Sequence, residues 1–247
     1  MNQDTSIKWK VSDVFNVFVL TFVLELLLYV LIQAIGLPDF VKIISDNILL
    51  KGIILLFMYL LQVAGMLFPL WFFIIRKYAS RWKDFAFKWI GTGKTILWII
   101  MAYLFFLGLS ILLIIIFFSL GIEALGFEKQ SSIFEIFGTD PFGIFIAVLI
   151  ALVIAPVVEE IFFRGFVLQT LAKRISPFWG VVLTALIFAS VHFEFQSIMP
   201  LLILSVVLNV IFVKTKSIWP GILFHVFNNT ISFIALYFIE SGYYIVS

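Results

Sequence analysis

The chain has 247 residues, 64% of them hydrophobic and only 12% charged, with 31 Phe and a formal net charge of +2. So small a charge gives no case for nucleic acid as a partner. The absence of Cys excludes disulfides, thiolate metal sites and a cysteine nucleophile.

Apolar runs near 20 residues or longer recur from Val14 onward, and about 20 apolar residues cross a hydrocarbon core of ~30 Å. Backbone groups in lipid must be paired internally, which rules out an open sheet, and these runs lack the alternation of barrel strands. The fold class is therefore all-α: a polytopic transmembrane helical bundle, one domain over 1–247. The hydropathy predicts about seven spans, with an eighth allowed: 14–36, 52–76, 95–120, 142–171, 178–192, 198–213 and 218–239. The first run is too long for a cleavable signal peptide and lacks a small-residue cleavage site, so it reads as a retained span. Asp140-Pro141 and Ser176-Pro177 predict helix starts, each a capping side chain followed by a first-turn proline. Pro200 and Pro220 suit the first turns of the last two spans.

Loop charge gives an orientation. Lys8 and Lys10 precede the first span; Arg76, Lys77, Arg81, Lys83, Lys88 and Lys94 fill the second loop; Lys173 with Arg174 and Lys214 with Lys216 follow the fourth and sixth spans. The alternate loops carry Asp39, Asp46, Glu123, Glu128, Glu135 and Glu194. Positive residues collect on the cytoplasmic side, so the N-terminus is expected in the cytoplasm and the C-terminus outside, in a bacterial plasma membrane. GTGKT at 91–95 is not a phosphate-binding loop, because position 88, where the motif needs glycine, is Lys88.

Polar residues inside the spans carry the functional reading. APVVEEIFFRG, at 155–165, places Glu159, Glu160 and Arg164 in an apolar run. Unpaired, these three would cost on the order of 8–10 kcal/mol at mid-bilayer. Glu160 and Arg164 are four apart and can pair on one helical face, leaving Glu159 about 100° round the helix. Pro156, one turn earlier, is placed to bend the helix. The bland alternative is an ion-pair cluster that only fixes helix packing.

The chain holds two histidines, His192 and His225, and both lie in spans. Measured from the cytoplasmic helix ends, Glu159 lies ~18 Å deep, His192 ~21 Å, His225 ~11 Å and Asn229 ~17 Å, at about 1.5 Å per residue. A shared chamber follows. A carboxylate and an imidazole can deprotonate a water, and a second imidazole and an amide can donate to an oxyanion. That is a water-activating hydrolase, most naturally a peptidase acting on a peptide or lipidated protein within the bilayer. Glu159, His192 and His225 could instead hold a zinc ion, although a mechanism with no cofactor is favoured.

EEIFFR (159–164), FASVH (188–192) and HVFNN (225–229) resemble, in order and spacing, the EExxxR, FxxxH and HxxxN motifs of the type II CAAX prenyl endopeptidase, Abi and bacteriocin-processing family of intramembrane proteases. The resemblance covers 142–239, and the spans within 1–121 carry none of it. It implies that Glu159 is the catalytic carboxylate and His192 its partner in activating water. His225 and Asn229 would form the oxyanion pocket. Arg164 would hold the acidic pair, with Glu160 supporting and Phe188 shaping the pocket. It further implies CAAX-type processing, peptide-signal maturation or bacteriocin immunity. The rival readings are a proton- or cation-coupled transporter, for which Glu25, Gln62 and Asn209 speak as further polar residues in spans, and a non-catalytic immunity or scaffold membrane protein. No inverted repeat of the transporter kind is evident. Oligomeric state is not legible.

Overall fold

The structure is a computed structural model that describes residues 7–44, 46–121, 133–194 and 197–240. Glu123 and Glu128, counted above among the acidic loop residues, lie outside them. Among the described residues the structure is helical, with no strand. The helices are α1 (Val11–Ala34), α2 (Leu37–Ile43), α3 (Ile48–Arg76), α4 (Thr92–Ser119), α5 (Ile133–Phe137), α6 (Pro141–Arg174), α7 (Pro177–Val191), α8 (Ile198–Thr215) and α9 (Trp219–Glu240). Six of them, α1, α3, α4, α6, α8 and α9, are long and apolar enough to cross a membrane. The fifth predicted span forms α7, whose 15 residues reach about 22 Å, short of a full crossing.

The predicted helix starts are present. Asp140 accepts hydrogen bonds from Phe142 N and Gly143 N, and Ser176 Oγ accepts one from Trp179 N, each ahead of a first-turn proline. Proline also explains where the long helices widen. Residues 71–76 follow Pro69 and residues 149–154 precede Pro156, and both stretches have π-helical turns. Such a turn re-satisfies carbonyls that a proline, lacking its N–H, leaves open. A third π-helical stretch, Glu160–Leu168, carries most of the EExxxR motif.

The chain divides into two compact units. The first comprises residues 81–131 and 159–229, with the N-terminal residues up to Lys8. Its core sets Ala102 of α4 against Ile203, Leu204, Val207, Leu208 and Ile211 of α8 and Phe224 of α9. The basic loop before α4 is folded, not open. Phe85 is fully buried beside Gly165, where an added Cβ would lie 3.2 Å from the Phe85 Cβ. Gln169 Nε2 donates to Asp84 O, and Ile218 N donates to Ala86 O. At Gly180, an added Cβ would lie 2.7 Å from Ala172 N, so only glycine lets α7 approach the end of α6 this closely.

The second unit comprises residues 9–80, 132–158 and 230–247, of which the described part holds α1, α2, α3, α5, the first half of α6 and the end of α9. Asp13, fully buried, accepts from Lys10 N, Lys77 Nζ and Tyr78 Oη, and so ties the start of α1 to the end of α3. Glu25 Oε1 lies against α3 where Gly65 leaves room, since a Cβ there would be 2.7 Å away. That oxygen has no hydrogen-bond partner among the described residues. Gln62, a polar residue of the second predicted span, is exposed on α3.

Candidate active site

The seven motif residues all fall in the first unit. Glu159 and Glu160 sit where α6 passes into its π-helical stretch. Their side chains diverge. Glu160 is fully buried and pairs with Arg164, Nη1 to Oε1 at 2.8 Å, as the four-residue spacing predicts. Glu159 keeps 21% of its side chain exposed.

The two histidines arrive from different helices. Helix α7 ends at His192, and the next residue, Phe193, takes φ 55, the left-handed turn that stops the helix. His192 Nδ1 lies 2.6 Å from Phe188 O, one turn back. His225 enters from α9, with only 4% of its side chain exposed, and its Nδ1 lies 3.2 Å from Glu160 Oε1. The Nε2 atoms of His192 and His225 then lie 4.0 Å and 3.8 Å from Glu159 Oε2. Asn229 stands one helical turn beyond His225 on the same face of α9. The shared chamber expected from helix depth is thus present as a cluster.

The hydrogen bonds fix the tautomers. A carbonyl oxygen only accepts, so His192 donates from Nδ1 to Phe188. Glu160 Oε1 already accepts from Arg164, which holds it as a carboxylate, so His225 also donates from Nδ1. A neutral imidazole held this way turns an Nε2 lone pair toward Glu159. Glu159 Oε2 has no hydrogen-bond partner among the described residues. In that tautomer three acceptors face one another, an arrangement complementary to a donor.

These Nδ1 acceptors are the kind that metal-bound imidazoles use. Ligand atoms around a tetrahedral zinc ion, each about 2.0–2.1 Å from the metal, lie roughly 3.3 Å apart. The separations here are 3.8 and 4.0 Å, and among the described residues no group of three His, Asp or Glu side chains is placed to hold a metal.

Arg164 is the centre of the support. It is fully buried, donates from Nε to Asn209 Oδ1 at 3.1 Å, and donates from Nη2 to Ser205 Oγ at 2.9 Å and Ser205 O at 3.3 Å. Its guanidinium also lies 4.8 Å from the centre of the Phe188 ring, whose own centre is 4.5 Å from that of His192. Asn209, which the sequence offered to a transport reading, belongs to this network. Ser205 and Gly221 escaped the sequence reading altogether. Ser205 and Asn209 are four apart in an apolar helix, a pairing that could have flagged a shared partner. Gly221 is one turn before His225, and a Cβ there would lie 2.8 Å from Glu160 Oε2.

Residues 141–231, which contain all seven motif residues, match the model of the Rce1-like family, described as Type II CAAX prenyl endopeptidase Rce1-like. Together with six helices long and apolar enough to cross a membrane, this describes an integral, multi-pass membrane protein whose residues 141–231 are similar to the Rce1-like family, as the three motifs implied. The chain is also similar to a protein of Bacillus subtilis (strain 168) named "Putative membrane peptidase YdiL", with 24% identity over 141 residues. That alignment covers 56% of this chain and 55% of the relative, so the chain spans about half the length of the curated relative it matches. No solved structure matches the chain.

Proposed function

We propose that this protein is an intramembrane endopeptidase that hydrolyses a peptide bond of a membrane-associated peptide or protein by activating water. The observation that carries the reading is Glu159 Oε2, which has no hydrogen-bond partner among the described residues and lies within 4.0 Å of both imidazole Nε2 atoms. A water seated there gives a proton to Glu159, with His192 as second acceptor, and its oxygen attacks the substrate carbonyl carbon. The carbonyl oxygen becomes an oxyanion. It receives hydrogen bonds from Asn229 and from His225. To donate from Nε2 while Nδ1 donates to Glu160, His225 takes on the proton that Glu159 has drawn from water, from an oxygen 3.8 Å away. Charge is conserved: His225 becomes cationic, Glu159 returns to carboxylate, and the oxyanion carries the negative charge of the hydroxide that attacked. The C–N bond then breaks, and the proton taken from water passes to the leaving nitrogen.

The side-chain exposures of 21% for Glu159 and 24% for His192 suit a substrate-facing pair, whereas His225 and Glu160 stay behind it. The loop charges support an N-terminus in the cytoplasm. The test is cleavage of peptides, with and without a C-terminal lipid, by purified protein in lipid discs. Cleavage by wild type and none by Glu159→Gln is the expected result. Equal cleavage by both would overturn the glutamate-base mechanism.

A further inference from the structure

Arg164 carries five N–H groups, and its hydrogen bonds bind three helices into one arrangement: α6, which bears it, α8 through Ser205 and Asn209, and α9 through Glu160 and His225. Asn209 adds a fourth. Its Nδ2 donates to Val181 O at 3.0 Å on α7, the helix that bears Phe188 and His192. Ser205, Asn209, Arg164 and Glu160 are all fully buried. Among the described residues, none on α8 hydrogen-bonds to Glu159.

We infer that Ser205 and Asn209 are positioning residues for hydrolysis, acting through Arg164. They fix the plane of the guanidinium, which aims Glu160 Oε1 at His225 Nδ1 and lies on the Phe188 ring that stacks on His192. Both imidazoles then keep Nε2 turned toward Glu159. Without the Asn209 acceptor, Arg164 Nε–H has no partner in a dry site, and the guanidinium turns to find one. Glu160 follows it, and His225 loses the acceptor that holds its tautomer. A role in packing alone would not reach the imidazoles. The inference rests on the hydrolase reading for its kinetic consequence, while the imidazole tautomer tests it independently of any activity.

The experiment uses the full chain in lipid discs, with Asn209→Ala, Ser205→Ala, Glu160→Gln and the Glu160→Gln/Asn209→Ala pair. Turnover is measured per folded molecule, beside thermal stability. Asn209→Ala is expected to lower kcat by about 10–100-fold with KM within about twofold, as for a small displacement of reacting groups. Ser205→Ala, which keeps the backbone acceptor, is expected to have a milder effect in the same direction. The double variant should be no slower than Glu160→Gln alone, since residues in one network are not additive. Asp13→Asn, in the other unit, should lower stability without changing kcat. Because the chain has two histidines, ¹⁵N-histidine labelling yields two imidazole signal sets. One of them should leave the Nδ1–H pattern in Asn209→Ala. Unchanged imidazole signals, fully additive losses in kcat, or unchanged turnover per folded Asn209→Ala molecule would overturn the inference. A wild type that cleaves nothing while the signals shift would overturn the hydrolase reading and leave the positioning intact.

Discussion

Glu160 Oε1 stands 3.2 Å from His225 Nδ1, bridging 65 residues of sequence. The contact divides the acidic pair into two unlike carboxylates. One is spent on Arg164 and His225, and the other is left facing both Nε2 atoms.

Glu159→Gln and Glu160→Gln should therefore fail differently. An amide at 159 cannot take a proton from water, so turnover should vanish while thermal stability stays near wild type. At 160, the change leaves Arg164 as a buried charge without its counter-ion, which costs about 3–5 kcal/mol in stability, with a partial loss of turnover. Turnover and thermal unfolding in detergent, measured on both variants, separate the two.

Gly221→Ala should slow the reaction without touching a reacting group. Its new Cβ would meet Glu160 Oε2 at 2.8 Å, and Arg164 restrains that carboxylate on its other oxygen. The carboxylate must shift, and the His225 contact shifts with it. We expect about a tenfold loss of kcat or more and an overpacking cost of about 1–3 kcal/mol. Unchanged kinetics would show that α9 absorbs the methyl by moving as a whole.

Asn229→Ala should lower turnover about 10²–10³-fold with little change in KM, as loss of one oxyanion donor does. Asn228→Ala, one residue before it and turned about 100° round the helix, should lose ~1 kcal/mol of packing or less. Parallel losses of stability and activity in the two variants would reduce both amides to helix contacts.

The second-loop basic residues should lie in the cytoplasm. Lys83 and Thr139 are both exposed, so a cysteine at each can be labelled in intact cells by an impermeant maleimide. Labelling is expected at Thr139→Cys and not at Lys83→Cys. The reverse pattern would invert the orientation.

Turnover is expected in protein that elemental analysis finds free of stoichiometric zinc. Zinc at one per chain, with activity lost on chelation and regained on its return, would give Glu159, His192 and His225 the ligand role instead.

What the sequence determined by itself was local. Runs long enough to cross the bilayer marked the six spanning helices, because every backbone group in lipid must bond within its own segment. Asp140-Pro141 and Ser176-Pro177 marked helix starts, because cap and first-turn chemistry act over three residues. The Glu160–Arg164 pair was legible from a spacing of four, and three motifs in order marked the stretch that matches the Rce1-like family. Tertiary structure alone decided which atoms meet. That Glu160 also engages His225, that Asn209 and Ser205 serve Arg164, that Gly221 makes room for a carboxylate, and that α7 stops short at His192 depend on the register of helices far apart in the chain. That register is set by where small residues let backbones approach and by which buried polar groups find partners. The periodicity within any single helix does not contain it.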